Sequence, residues 1–405
     1  MPSLAFIITR VFAPFALGYF LSYSFRTVNA VLGPELANDL AIDAAGIGLL
    51  TGAYFLAFAA AQIPLGMALD RFGPRRTQTV LLGVAALGAL AFSFGDDVGS
   101  LALARALIGA GVSGCLLASF KAFALWLPKR KLPLVNGYLL AFGGLGVAAA
   151  SAPVQFALDH MTWRELFQVV AGMTLFVAII IFIAVPDREA EGEPRSMADQ
   201  FRGLGQIFRS RLFWGTAPLV MTVQAAWMSI QALWLGAWLR DVPGLSGHAA
   251  ANALMIGGLG MVSGYALLGA TTERLGRRGV PTRAVAGSGV AAFIVVQALI
   301  VLEAPVPPWL LCFLFGFFGG AATIFYAALT QDFPVALAGR VNTSMALFTF
   351  AGAFLLQIGF GFVLDFFPLD GGRYAPIGYQ VAFGPWVVVQ VVAFIWLVVA
   401  SRQRG

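Results

Sequence analysis

Arginine side chains inside apolar segments are the residues of this sequence best suited to bind a ligand. Arg26 and Arg105 each lie within a long apolar run, at residues 11–33 and 99–126. A guanidinium group in such a segment costs about 2–3 kcal/mol, so it should face a water-filled cavity and have a partner. Tyr23 and Asn29 share the helical face of Arg26. The chemistry that this stripe offers is the binding of a negatively charged group.

The spacing of the two arginines strengthens that interpretation. If both guanidinium groups enter one cavity about 7 Å apart, they repel each other by about 2 kcal/mol at an effective dielectric constant of about 20. An anion between them would reverse the sign. The acidic residues that could neutralise them fall in or near loops: Asp39, Asp96, Asp97, Asp159, Asp241, Glu303 and Asp365. We therefore expect an anionic ligand with Arg26 as the stronger contact, whereas Arg105 could equally serve coupling or structure.

The second half of the chain supplies polar residues without charge. These are Gln224, Trp227 and Gln231, spaced along one face of a helix, together with Tyr326. Amide and indole groups opposite a cationic half would bind the uncharged end of an organic anion. Hydrogen bonding between helices is the competing interpretation for each of them.

The elements that position these residues must be membrane helices. Hydrophobic residues make up 60% of the 405-residue chain and charged residues 11%, and the mean hydropathy is +0.85. A bilayer core of about 30 Å requires about 20 apolar residues per helix. Such runs predict twelve helices near 11–33, 46–69, 77–95, 99–126, 133–155, 165–185, 212–238, 249–270, 282–302, 308–330, 341–364 and 377–400.

The net charge of +6 does not form a patch for nucleic acid, because the basic residues are sorted by side. Most lie in turns that would share the cytoplasmic face, which predicts that both termini are cytoplasmic. The first apolar run lacks a cleavage pattern and is expected to be retained. No metal-ligand cluster, cofactor motif or catalytic constellation is found, so we do not expect an enzyme. We also expect the protein to be surrounded by membrane lipid and to be monomeric.

The chain also repeats itself half a chain length apart. A phrase that begins at Gly66 and contains Asp70-Arg71-Phe-Gly73-Pro-Arg75 returns from Gly269 onward as Glu273-Arg274-Leu-Gly276-Arg-Arg278. The only long polar stretch divides the halves. We predict an all-α membrane protein of two pseudo-symmetric six-helix bundles, at 1–186 and 212–405, joined by a cytoplasmic linker at 187–211. The second part of this linker could form an amphipathic helix in the membrane interface or remain a solvated linker.

This duplicated phrase, together with Arg105-x-x-x-Gly109-x-Gly111, resembles the major facilitator superfamily over the whole chain. The resemblance implies a central substrate cavity that opens alternately to each side of the membrane. The fifth helix contains Gly143, Gly144, Gly146 and Pro153, but they do not reproduce the glycine and proline spacing of the drug and proton antiporters. This difference argues against drug efflux.

Carboxylates set in the basic turns suggest a cytoplasmic gate. Asp70 or Glu273 could pair with a cation or cap a helix across the bundle interface. Small residues would let helices approach or let the chain turn tightly. The predicted gate comprises Gly66, Asp70, Arg71, Gly73, Arg75, Gly269, Glu273, Arg274, Gly276 and Arg278. The alternative is that the arginines only anchor the turns on the inside.

We therefore predict a secondary or facilitative transporter of a small organic anion, expected to be a carboxylate, in a bacterial inner membrane. A proton or a counter-anion as coupling partner is left open, because the only histidines, His160 and His248, fall in outer loops. One alternative is a multidrug or metabolite exporter of the same fold. Another is a receptor or assembly factor that does not transport.

Overall fold

The described part of the chain crosses the membrane twelve times. A computed structural model describes residues 3–188, 205–334, 337–367 and 373–402, and these ranges are helical apart from the connections. Eleven of their helices are long and apolar enough to cross a membrane. One of them, Ala44–Ser93, has 50 residues and bends at Gly73, where φ is 75° and ψ is 170°. It makes two crossings, so the twelve predicted helices and the all-α membrane fold are confirmed.

We number the helices along the chain. They are α1 (Ala5–Thr27), α2 (Asn29–Leu40), α3 (Ala44–Ser93), α4 (Val98–Trp126), α5 (Leu132–Leu158), α6 (Trp163–Ala184), α7 (Ala217–Asp241), α8 (Gly247–Gly276), α9 (Thr282–Val301), α10 (Pro308–Thr330), α11 (Gly339–Leu364) and α12 (Pro376–Ala400). The predicted first helix, 11–33, differs most, because α1 starts earlier and α2 continues it to Leu40.

Most of the predicted linker lies outside the described residues, including Phe201 and Leu204 of the predicted amphipathic segment. The part next to α7 is described. Ile207 is fully buried, and the ring of Phe208 lies 5.3 Å from that of Phe348. This end of the linker is therefore packed against the helices that follow it.

The helix ends define two faces. The basic face carries the turns at 71–76, 129–131 and 277–283, and the far face carries the connections at 41–43, 94–97 and 242–246. Three helices that start at the far face have side-chain caps: Asp43 accepts from Gly46 N, Asp97 from Ser100 N and Ser246 from Ala249 N. The bonds from Ser100 hold the pKa of Asp97 below its usual value. Such caps satisfy N–H groups that the first helical turn leaves free.

The N half (α1–α6) and the C half (α7–α12) meet mainly where α3 packs along α11 and α5 along α8. In the α3–α11 contact, a Cβ atom added at Gly48 would lie 2.5 Å from Gln357 O, and one at Gly361 would overlap Ala44 O. We call this contact, from Ala44 at the far face to Phe350 within the membrane, the far-face seam. Glycine is required here because main chain lies directly against main chain.

The basic face is different. Cβ atoms added at Gly66, Gly137, Gly269 or Gly339 would have no neighbour within 4 Å. The basic-face ion pairs found among the described residues lie within one half or join Arg75 and Arg76 of the N half to Asp187 at the start of the linker, and none of these pairs joins the two halves. The halves thus meet on the far face and separate toward the basic face.

A buried amide pair in the C half provides a test of its packing. Gln297 of α9 and Gln390 of α12 exchange two hydrogen bonds of 2.8 Å and 3.0 Å. Replacing either one with Leu should lower the stability of the detergent-solubilised protein by about 1–3 kcal/mol, because the other amide loses its partner. The double Leu variant should recover most of that loss, and a melting curve for each variant measures it. A double variant as unstable as the sum of both singles would contradict this account.

Candidate functional site

Arg26 occupies the middle of the protein, surrounded by aromatic rings. It is 4% exposed, so it does not face lipid. Its guanidinium carbon lies 4.3 Å from the centroid of Tyr23, 5.4 Å from that of Phe350 and 5.6 Å from that of Phe58. Tyr54 also interacts with this group through its hydroxyl. Among the residues that the structure describes, no carboxylate lies within ion-pair distance of Arg26, and its Nε has no partner.

Arg105 is placed differently from the expectation that both guanidinium groups enter one wet cavity. It is fully enclosed, and its Nη1 donates to the carbonyl oxygen of Phe25 at 2.9 Å. Its guanidinium carbon lies 5.5 Å from the Tyr54 centroid, so Tyr54 contacts both arginines. Arg105 thus holds the backbone of the residue before Arg26, and its role as a substrate contact remains a prediction.

Tyr23 on α1 and Asn29 on α2, the predicted neighbours of Arg26, are buried and each contacts a further polar side chain. Tyr23 packs edge to face on Tyr19, with 5.1 Å between the ring centroids. The Asn29 amide donates to Thr51 Oγ1 at 2.8 Å, and its oxygen has no partner. The predicted stripe of Tyr23, Arg26 and Asn29 is therefore buried among helices of the N half and the aromatic ring from α11.

The C-half residues contribute unused hydrogen-bonding groups. Gln224 is 3% exposed, and its Oε1 has no partner. Trp227 packs against Gly319 and is 1% exposed, and its indole N–H has no partner either. Tyr326 hydrogen-bonds Thr349 at 3.0 Å. Gln231 instead lines a cavity of about 10 Å³ between the halves, with Thr27 and Ser151. Buried polar atoms usually have a partner, so these are available to a ligand or to water.

The predicted gate residues lie apart from this site, on the basic face. Asp70 pairs with Lys121 at 2.7 Å, and Lys121 also donates to Leu69 O at 2.7 Å. Glu273 pairs with Arg277 one turn away at 2.5 Å. Neither carboxylate reaches the other half in this state. The gate therefore remains a prediction that concerns the state in which the basic face is closed.

The glycines of the two basic turns do not play equal roles. Gly73 has the left-handed φ that the prediction requires, but Gly276 is helical and belongs to α8. In the second turn the left-handed residue is Gly279, with φ 84°. Gly66 and Gly269 have no close neighbour, so the helix approach expected from them is absent in this state. The difference arises because α8 runs one turn farther before the chain reverses.

At the far face, a carboxylate joins the halves. Asp365, at the end of α11, accepts hydrogen bonds from Ala44 N at 3.0 Å and from Ala45 N at 2.9 Å. It caps the first turn of α3 from the opposite half, where the helix dipole favours negative charge. The Tyr374 hydroxyl lies 3.5 Å from Asp365. Burial, with the Asp365 carboxylate as a second cause, raises the pKa of Tyr374 to about 12 and keeps it a neutral donor.

Two further contacts close the far face. Arg240 donates to Ala30 O at 3.1 Å, and His248 lies 3.4 Å from Asp159. The sequence places Asp365 in or near a loop and predicted no role for it, and no role was predicted for Tyr54, Phe58 or Phe350. Nothing in their spacing singles them out, since their partners are remote in sequence.

Comparison with known proteins places this geometry in context. A family model described as the Major Facilitator Superfamily matches residues 15–357. The hexuronate transporter of Escherichia coli (strain K12) is 26% identical over 247 residues, which is 57% of this chain and 57% of that protein. The probable sulfoacetate transporter of Cupriavidus necator is 28% identical over 159 residues, covering 39% of this chain and 37% of that protein. The chain thus spans little more than half the length of the first relative.

The fold is also similar to that of solved structures. One is a bacterial homolog of the human lysosomal transporter Spinster in an inward-facing and unoccupied conformation. The TM-score is 0.72 at 18% identity, and the alignment covers 99% of this chain and 98% of that one. At this identity the likeness concerns the fold alone.

Proposed function

Because the chain belongs to the Major Facilitator Superfamily, we propose that it is a secondary transporter that carries a small organic anion across the membrane by alternating access. The substrate is an acid with a carboxylate or a related anionic group. Arg26 binds that group, and the polar residues of the C half bind the rest of the molecule. The chain is a multi-pass membrane protein, so the route between the two halves is the path available to such a ligand.

The single observation that supports this proposal most strongly is the unpaired charge of Arg26. The group is only 4% exposed between the two halves, and no described carboxylate pairs with it. A buried cation without a counter-charge is costly, and a bidentate carboxylate would offset the cost. The two relatives reported above are named for a hexuronate and a sulfoacetate, both of which are organic anions.

The rest of the site is assigned by buried polar atoms without a partner on Gln224, Trp227 and Asn29, and by the Tyr326 hydroxyl, which is bonded to Thr349. Gln224, Trp227 and Tyr326 of the C half, with Asn29 of the N half, would bind the uncharged part of the substrate. Gln231 would join them when the cavity around it changes shape. Arg105 is proposed to act mainly through the Phe25 carbonyl, by fixing the backbone that carries Arg26.

The bundles, faces and gate follow from the same proposal. We assign residues 1–186 and 212–405 to the two bundles and 187–211 to the linker. The basic face is proposed to be cytoplasmic, in agreement with the positive-inside bias, with both termini there and the protein in a bacterial inner membrane. The structure then represents the state open to the cytoplasm, and Asp70 and Glu273 would act when that side closes.

A ligand panel tests the substrate class. The purified protein is heated with D-glucuronate, a small sulfonate, inorganic phosphate, D-glucose or a lipophilic cation. We expect stabilisation by at least one organic anion, because a ligand bound only to the folded protein raises its stability by about 2.7 kcal/mol at 100 times its Kd. Glucose is the matched control, since it has the ring of glucuronate without the carboxylate. Stabilisation by the cation or by glucose alone would refute the proposal, and uptake into proteoliposomes distinguishes a transporter from a receptor.

A further inference from the structure

Two phenylalanine rings stack across the boundary between the halves. Phe58 of α3 and Phe350 of α11 have centroids 3.9 Å apart and planes inclined by 20°. Each is 6% exposed. Phe350 also lies 6.2 Å from Phe55. Among the ring contacts of the described residues, both that join the N half to the C half involve Phe350.

This stack marks the inner end of the far-face seam. From the far face inward, the seam passes Gly361 against Ala44 and Gly48 against Gln357, and then Gly52 against Phe354. The phenylalanine pair follows. Farther along α3, Gly66 has no neighbour within 4 Å of an added Cβ. The contact between α3 and α11 has therefore ended by Gly66, about two turns beyond Phe58.

Arg26 lies at the same level and contacts both rings. Its guanidinium carbon is within 6 Å of the centroids of Phe58 and Phe350, which come from different halves. The face of an aromatic ring carries partial negative charge and attracts a cation, most strongly where water is excluded. Because the rings are stacked, Arg26 cannot lie over the faces of both. The attraction that joins the halves is therefore between Arg26 of the N half and Phe350 of the C half, the nearer ring, on which Phe58 stacks.

We propose that Phe350, together with Phe58, is a positioning residue that couples the occupancy of Arg26 to the opening of the far-face seam. In the empty protein the guanidinium group attracts the Phe350 ring, which stacks on Phe58. An anion that pairs with Arg26 neutralises it and removes the attraction, so the seam loses its inner contact. The loaded protein then opens at the far face more readily than the empty one, because the anion interacts differently with the two states.

A double-mutant cycle on the empty protein tests the contact without any ligand. Spin labels at Asn38 and Ser246, which are exposed on opposite halves of the far face, report the ratio of open to closed molecules. We expect Phe350→Leu to raise this ratio ~3- to 30-fold in the natural background. In an Arg26→Gln background the same substitution should change it little. Phe350→Tyr, which keeps the ring face, should leave the ratio close to that of the natural protein.

Phe354→Leu is the matched control, because Phe354 packs in the same seam against Gly52 and has no contact with Arg26. Its effect should be the same in the natural background and in the Arg26→Gln background. Equal effects of Phe350→Leu in both backgrounds would overturn the proposal, since they would show a purely structural contact.

A ligand arm tests the release step. D-glucuronate should raise the open fraction of the natural protein and raise it less in Phe350→Leu. An equal rise in both would refute the coupling. The release step rests on the proposed function, whereas the ligand-free cycle does not. A panel in which no organic anion binds would refute the proposed function and leave the cycle to decide whether Phe350 and Arg26 interact.

Discussion

Replacing Arg26 with Gln is expected to weaken binding of the organic anion by about 2–5 kcal/mol, or ~30- to 5,000-fold, and to abolish its transport. The reason is that Arg26 is the buried cation of the site, and a neutral amide cannot offset a carboxylate there. Arg26→Lys should retain part of the affinity, because its ammonium group keeps the charge but cannot bind in a bidentate fashion. Titration of the purified variants with the anion identified by the ligand panel measures the loss.

The stability of the empty variant separates this effect from misfolding. Because the substitution removes a buried charge that lacks a carboxylate partner, empty Arg26→Gln should melt at or above the temperature of the natural protein. Arg10→Gln makes the same chemical change at an exposed position near the start of α1 and should leave binding intact. Anion affinity that is undiminished in Arg26→Gln would remove Arg26 from the binding site.

Replacing Asp365 with Asn is expected to open the far face. Each oxygen of the carboxylate accepts one backbone hydrogen bond from the first turn of α3, whereas Asn keeps a single uncharged acceptor oxygen and places an N–H donor against the other backbone N–H. Hydrogen bonds to charged groups contribute ~1.5–3 kcal/mol, so the open to closed ratio should rise by about one to two orders of magnitude. Distances between spin labels at Asn38 and Ser246 measure the change, and the buried Cys115 and Cys312 limit unwanted labelling.

Asp43→Asn is the control for that experiment. Asp43 lies next to Ala44 but accepts from Gly46 N within its own helix, so it joins no residues of different halves. Its substitution should leave the distance distribution unchanged. If Asp365→Asn also leaves it unchanged, the cap supplied by Asp365 does not hold the far face closed.

Length, apolar runs and the repeated turn were sufficient to predict the fold, because each membrane helix has its own local signal. The turn at Gly73 carries one as well, since a left-handed residue favours glycine. At the second turn, however, the phrase ends at Arg278, so the repeat predicted the turn at Gly276, whereas the left-handed residue is Gly279, directly after the phrase. The repeat alone does not indicate that α8 continues to Gly276.

The site could be predicted only in part. Arg26 was detectable because a charge inside an apolar run is expensive wherever its partner lies. The partners themselves were not, since Arg105 bonds a backbone oxygen 80 residues away and Asp365 caps a helix 321 residues away. Backbone acceptors have no residue type to recognise. Phe58 and Phe350 are two of 36 phenylalanines in a largely apolar chain, and nothing distinguishes them until the halves are brought together.

The glycines in the contacts between the halves near the far face give the two ends of the protein unequal tolerance to mutation. At Gly48, Gly236 and Gly361 a single added methyl group would meet a carbonyl oxygen of the opposite half at 2.5 Å or less, whereas at Gly66 and Gly269 it would meet nothing. Small substitutions near the far face would therefore act as spacers that favour one orientation of the carrier. The same substitutions at the basic face should have no effect on the protein until that face closes.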